Sequence, residues 1–320
     1  MQTSAECSER LTIRKPPKPI PCSETEMLRS KGYILRNTIG QGTYSKVKRA
    51  CSIAMKRDIA IKIISRDDAP EVFRKKFLPR EVEVLSILEH PSIVKVFEIF
   101  ETKNPARLYI VTEYFHNGDL LDHVKSKGSM DEMVARPVIA DVCRAGSYLH
   151  HNNISHRDIK CENILLHVVP GCKGAAYQAK LCDFGFARRF PTRTSKDHAQ
   201  LGGQGWLSNT FCGSAAYASP EILERKLHNP MSADVWATGV VVFITVFGAM
   251  PFDDTDIRTM VKMQKRGDVT HHRSNKVSVI ASELIGSILR PHPRHRPTMQ
   301  GILRHRWFHA DLTPGLQHQV

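Results

Sequence analysis

The sequence predicts an α+β protein of two lobes: a small antiparallel five-stranded lobe with one main helix, then a larger, mostly helical lobe. Three observations carry that expectation. Between Tyr33 and Phe115 the chain is dominated by short runs of β-branched and aromatic residues, interrupted by one stretch of helical spacing. After HNGDLL at 116–121, apolar residues recur mainly at helical spacing. A length of 320 residues, 41% hydrophobic and 24% charged, is enough to bury one large or two modest cores.

The elements follow in order. Residues 1–28 are polar and Pro-rich, with RKPPKP at 14–19, and are expected as a flexible basic arm. The strands read YILRNTIG, KVKRAC, DIAIKII, IVKVFEIF and RLYIVTEYF. Between the third and fourth, FRKKFLPREVEVLSILEH (73–90) spaces Val82, Leu85, Ile87 and Leu88 as a helix does. The small lobe is therefore drawn as 29–113, a hinge as 114–118 and the large lobe as 119–309, with 310–320 a short tail. In the large lobe the clearest helices are 130–152, 232–248 and 281–290. The polar, Gly- and Ser-containing stretch 191–209 reads as a long loop.

Composition narrows the function. No apolar run approaches the roughly 20 residues of a membrane span, the most apolar stretch being Val240–Phe247. The N-terminus lacks the apolar core of a secretion signal. Eight scattered cysteines without a C-x-x-C pair argue against structural zinc and fit reduced thiols in the cytoplasm, with nuclear access open. The net charge of +14 can attract acidic partners, but no basic segment carries an aromatic ladder or zinc-finger spacing. Charge alone does not make a nucleic-acid binder.

The candidate chemistry lies in four places. In IGQGTYSKV (39–47), Gly40 and Gly42 have no Cβ and let backbone approach phosphates closely, although such a pair is equally a hairpin turn. Lys62, in AIK on an apolar strand, either faces water or reaches Glu81 on the following helix. In LCDFG (181–185), Asp183 ends an apolar strand before a glycine, a suitable place to hold a hard cation. HRDIKCEN (156–163) crowds Asp158 between Arg157 and Lys160 and adds the neutral oxygen ligand of Asn163.

In this order and spacing the pieces resemble the eukaryotic protein kinases from about Tyr33 to His309. GQGTYSKV is similar to the Gly-rich loop, AIK to the phosphate-binding lysine, and Glu81 to its helix partner. HRDIKCEN is similar to the catalytic loop, DFG to the metal segment and SPE (219–221) to the end of the activation segment. FLPREVEVL, DFGFARR and FCGSAAYASPE resemble the testis-specific serine/threonine kinases of the calmodulin-dependent-kinase-like group.

The resemblance implies a bilobal protein kinase fold, ATP and Mg²⁺ as cofactors, and protein substrates with Ser or Thr acceptors. It implies that Asp158 orients the acceptor hydroxyl or takes its proton, that Lys160 neutralises the transferred group, and that Asn163 and Asp183 hold Mg²⁺. Ile39, Gly40, Gln41, Gly42, Thr43, Tyr44, Ser45, Lys46 and Val47 would cover the nucleotide. Val47, Ala60 and Leu165 would sandwich adenine, backbone at Glu113 and Phe115 would bond its edge behind Thr112, and Lys62 with Glu81 would grip the phosphates. His156 is implied to pack under Phe184 in a stack with Leu85 and Val96.

The same resemblance makes Thr210 the expected activation-loop phosphosite, met by Arg157 and modified by an upstream kinase or by the chain itself. Asp119 and Glu162 match positions that read basic residues ahead of the acceptor, which gives an expected Arg-directed preference. Glu221 and Arg296 are expected as a buried structural pair. Departures are Ser45 for a third loop glycine, Ser219 for alanine before Pro220, His292 for an acidic residue before Pro293, and a longer segment at 168–178. The rival readings are a catalytically silent scaffold, which intact Lys62, Asp158, Asn163 and Asp183 speak against, and a nucleic-acid binder resting on charge. A place in male germ-cell differentiation is implied by resemblance only.

Overall fold

The alternating runs of the first lobe pair into one antiparallel sheet of five strands in the order β1-β2-β3-β5-β4. The strands are β1 (Tyr33–Gln41), β2 (Ser45–Ser52), β3 (Arg57–Ser65), β4 (Val96–Lys103) and β5 (Ala106–Glu113). The computed structural model describes residues 23–169, 171, 176–191, 208, 213–269 and 277–310. Because side chains alternate along a strand, β3 sends Ala60, Lys62 and Ile64 to one face of the sheet and Ile59, Ile61 and Ile63 to the other. The second set forms a core with Leu28, Tyr33, Ala50, Tyr109 and Val111. Ile64, Leu108 and Ile110 join the main core, which continues into the large lobe.

Two expectations need correction here. Residues 24–28 of the expected flexible arm fold, with 29 and 30, into helix α1 (Glu24–Ser30), whose Leu28 is fully buried. A capping box at Ser23 and one apolar anchor build it, and a Pro-rich, basic reading of the flanking residues obscures both. The helix expected over 73–90 is shorter and composite: a π-turn at Phe73–Phe77, then α2 (Leu78–Ile87). The chain turns extended at Leu88, with ψ 120°, three residues ahead of Pro91. The face also differs: Leu78, Glu81, Val84 and Leu85 are buried, whereas Ile87 is exposed.

The large lobe contains α3 (Leu120–Lys127), α4 (Glu132–His151), α5 (Pro220–Leu223), α6 (Pro230–Phe247), α7 (Ile257–Arg266), α8 (Val279–Ile288) and α9 (Met299–Leu303). The three helices expected there are α4, α6 and α8, each shifted by two residues or so at its ends. Beside them lie the short strand pairs β6 (Ile154–Ser155) with β9 (Arg188–Arg189), and β7 (Ile164–Val168) with β8 (Tyr177–Leu181). Helix α6, at 18 residues, is by length and composition apolar enough to cross a membrane, yet 83% of it is buried within the protein. It is the axis of the large-lobe core, where Trp236 stacks on Phe252 at 5.8 Å.

Polar ties close this lobe. Arg296 forms the expected pair with Glu221, donating from both terminal nitrogens at 2.6 and 2.8 Å, with the guanidinium fully enclosed. Glu132 accepts from Trp307 Nε1 at 2.6 Å and from Ser278 Oγ at 2.9 Å, joining the start of α4 to the cap of α8 and to the turn at Arg306–Phe308. His292 caps the turn at Pro293–His295, its Nδ1 accepting from Arg294 N at 3.3 Å. That gives the His292 departure a structural role.

Candidate active site

The cleft is built from both lobes. Lys62 sits on β3 opposite Val47 of β2 and Ile110 of β5, and is only partly exposed. Its Nζ donates to Glu81 Oε1 at 2.7 Å and to Asp183 Oδ1 at 2.9 Å. Burial alone would lower its pKa, but the two carboxylates over-compensate and hold it well above the usual lysine range. Asp183 is held below the usual carboxylate range, first by Lys62, against the opposing effect of burial. Both groups are therefore charged at neutral pH.

Asp183 has φ +57°, a left-handed conformation that costs a non-glycine residue about 1 kcal/mol or more. The following residue repays the bend by packing: Phe184 is buried with its ring 4.9 Å from that of His156. His156 is engaged at both ring nitrogens, Nε2 with Cys182 O at 3.1 Å and Nδ1 accepting from Asp158 N at 3.3 Å. Its ring links two loops through their backbones, which matches the packing role expected of it.

The loop carrying Asp158 hangs from Asp234 of α6. One Asp234 oxygen accepts from Ser155 Oγ at 2.8 Å, from His156 N at 3.0 Å and meets His150 Nε2 at 3.0 Å; the other accepts from Arg157 N at 2.8 Å. This anchor was missed from sequence although it had a signal: Asp234 is the single charged residue in an otherwise apolar helix. A buried carboxylate of that kind must be satisfied by something.

Asp158 is itself buried and fixed by three side chains or backbone donors. Oδ2 is 3.1 Å from Lys160 Nζ and accepts from Asn163 Nδ2 at 3.1 Å, and Oδ1 accepts from Ser214 N at 3.2 Å. Lys160 also donates to Ser214 Oγ at 3.1 Å. Gly213, at φ +89°, is required next to it, since a Cβ there would lie 2.7 Å from Arg157 O and 2.9 Å from Asp158 Oδ1. Gly213 and Ser214 are the second omission of the sequence reading. They carry no charge and gain a role only from their approach to Asp158.

The remaining predicted residues lie on the strands and turns next to this network. Val47 pairs with Gly40 across β1–β2, Ala60 with Thr112 across β3–β5, and Leu165 with Asp119. Gln41 pairs with Lys46, and between them Gly42 N donates to Ser45 O at 2.7 Å to close the turn containing Thr43 and Tyr44. Ile39 is exposed on β1. A Cβ on Gly42 would come within 2.8 Å of Ser45 Oγ, so Ser45 tightens the loop at the place where a third glycine is absent. Glu113 ends β5 and its side chain turns away, accepting from Lys95 N and Lys180 Nζ at 2.7 Å each. Phe115 is buried beyond it.

A hard cation fits these donors. The Asn163 amide nitrogen is committed to Asp158 O at 2.8 Å and to its carboxylate, which leaves the amide oxygen for a metal. Asp183 commits one oxygen to Lys62 and keeps the other. Thr210, the segment 192–207, residues 172–175 of the longer segment and residues 311–320 lie outside the described residues.

Comparison with known proteins agrees with this arrangement. Residues 33–308 match the family described as protein kinase domain. The chain is 41% identical to testis-specific serine/threonine-protein kinase 2 of Mus musculus over 284 residues, 89% of this chain and 75% of that protein. It is 40% identical to testis-specific serine/threonine-protein kinase 1 of Homo sapiens, covering 89% and 73%. It is 38% identical to testis-specific serine/threonine-protein kinase 3 of Homo sapiens, covering 88% and 98%.

Proposed function

The chain belongs to the protein kinase family and to its serine/threonine class, and on that premise we propose that it is catalytically active and transfers the γ-phosphoryl group of Mg-ATP to Ser and Thr hydroxyls of proteins. The observation that carries this reading is the convergence of Lys62, Glu81 and Asp183 on one ion-pair network, with a fixed Asp158–Lys160–Asn163 cluster on the catalytic loop.

Each residue has a distinct task. Lys62, kept cationic, binds phosphate oxygens, while Glu81 sets its direction. Asp158 aligns the acceptor hydroxyl; as its oxygen bonds to the γ-phosphorus, the bond to the β–γ bridging oxygen breaks, ADP keeps that electron pair, and the proton passes to Asp158. Lys160, 3.1 Å from Asp158, offsets charge on the group in transit. Asn163 and Asp183 would hold Mg²⁺, which supplies charge neutralisation on the phosphates.

Two finer features belong to the same proposal. Arg80, Arg157 and Arg188 gather without a carboxylate partner among the described residues, and burial together with the other two guanidiniums lowers the Arg188 pKa. Such a cluster suits a phosphate on Thr210, from an upstream kinase or from autophosphorylation. Asp119 and Glu162 are near enough that Glu162 adds to the effect of burial in raising the Asp119 pKa, and neither is paired with a Lys or Arg among the described residues. A substrate arginine would relieve that repulsion. The names of the relatives support a role in spermatogenesis, and the unpaired described cysteines support a cytoplasmic or nuclear setting.

A degenerate Ser/Thr peptide array with Mg-ATP, with and without chelator, tests the function. Chelator-sensitive labelling that favours arginine ahead of the acceptor is expected. No labelling after activation-loop phosphorylation would favour the silent scaffold, and equal labelling without arginine would remove the preference.

A further inference from the structure

Helix α1 lies outside the residues matched to the kinase domain, and the transfer chemistry does not use it. Seven residues are too few to hold a helix in water by themselves, so α1 depends on its capping box and on Leu28 seated in the outer face of the small-lobe sheet. That seat aims Glu24 at the end of the sheet next to the phosphate loop. One Glu24 oxygen accepts from Lys46 Nζ at 2.9 Å; the other accepts from Arg107 and from Tyr109 Oη at 3.3 Å.

Lys46 is the second residue of β2, between Ser45 of the loop tip and Val47 of the cleft roof. Alternation puts its side chain on the outer face, where α1 lies, and Val47 on the inner face. The same end of the loop is tied twice more. Ser65 N donates to Tyr44 O at 2.9 Å, and the Tyr44 ring sits 5.8 Å from Phe73, just ahead of the helix bearing Glu81. Glu24 completes a ring of fastenings around the strand that leaves the loop.

We infer that Glu24 is a positioning residue for the phosphate-binding loop, pinning β2 through Lys46 and β5 through Arg107 so that Gly40 and Gly42 stand ready over the nucleotide. This rests on the ATP-binding reading above. A loop fastened beforehand loses less freedom when the nucleotide arrives, so the fastening favours binding rather than the chemical step. The pair is more sheltered than an ordinary surface pair, with side-chain exposures of 18% for Glu24 and 32% for Lys46.

The test uses the full chain, a fluorescent ATP analogue with Mg²⁺, and steady-state kinetics on a Ser peptide. Glu24→Gln should raise both the nucleotide Kd and the KM for ATP by about three- to fivefold, with kcat at saturating ATP within about twofold. Arg107→Gln, which cuts the other fastening of Glu24 at a residue outside the nucleotide-covering loop, should do the same, and the Glu24→Gln/Arg107→Gln double variant should be no worse than either single. A purely structural helix would lower the melting temperature and kcat while leaving KM and Kd alone. That pattern, or multiplicative effects in the double variant, would overturn the inference. Should Glu24→Gln not fold, Arg107→Gln carries the same expectation by itself. A wild-type chain unable to bind Mg-nucleotide would remove the ATP reading and this one with it. Tight wild-type binding with unchanged variants removes the positioning role alone.

Discussion

At the scale of single residues, the charges that hold the catalytic loop and the large lobe together are sheltered and matched by named partners. Arg296 is enclosed and bidentate on Glu221, so Arg296→Met strands a buried carboxylate and should cost about 3–5 kcal/mol in denaturant unfolding. Ser219 presents the opposite case. Its hydroxyl is fully buried and finds no partner among the described residues, so Ser219→Ala should raise stability by about 1 kcal/mol without affecting the nucleotide KM. Asp234 links stability to pH. Burial alone would raise its pKa, but His150 and the loop N–H groups hold it below the usual carboxylate range. A depressed folded pKa contributes stability above the unfolded value and loses it as pH falls through the folded value. Wild-type stability should therefore hold down to about pH 4 and fall beneath it, whereas Asp234→Asn, less stable throughout, should lack that part of the slope. Unfolding midpoints measured across a pH series decide it.

At the scale of elements, what could be read from sequence depended on how local the signal was. The five strands and helices α4, α6 and α8 were legible because apolar periodicity repeats within each segment. Lys62, Glu81, Asp158, Asn163 and Asp183 were legible because their chemistry and order are unusual together. Helix α1 was not: a single buried leucine and a cap lie beside a basic, Pro-rich stretch, and the sheet face they cover is built from residues far along the chain. The end of α2 was misjudged because Ile87 looks like a core residue yet points outward. Asp234 is interpretable only once the loop it holds is in place. If Leu28 anchors α1, Leu28→Ala should destabilise the protein by about 2–4 kcal/mol, read from its unfolding midpoint. An unchanged midpoint would mean that the helix is dispensable to the small lobe.

At the scale of the whole molecule, function lies between the lobes. Lys62 from the sheet meets Asp183 from the large lobe at 2.9 Å, so the two lobes share an ion pair at the place where a nucleotide would bind. The excess of positive charge, +14 over the chain, is a longer-range field that salt screens beyond about 10 Å, and it does not decide the chemistry. The decisive measurement is transfer of labelled γ-phosphate from Mg-ATP to a Ser/Thr peptide by the wild-type chain and by Asp158→Asn, with nucleotide affinity measured on both. Equal nucleotide affinity and a loss of transfer of about a hundredfold or more are expected in the variant. Undiminished transfer by Asp158→Asn would remove Asp158 from the chemistry.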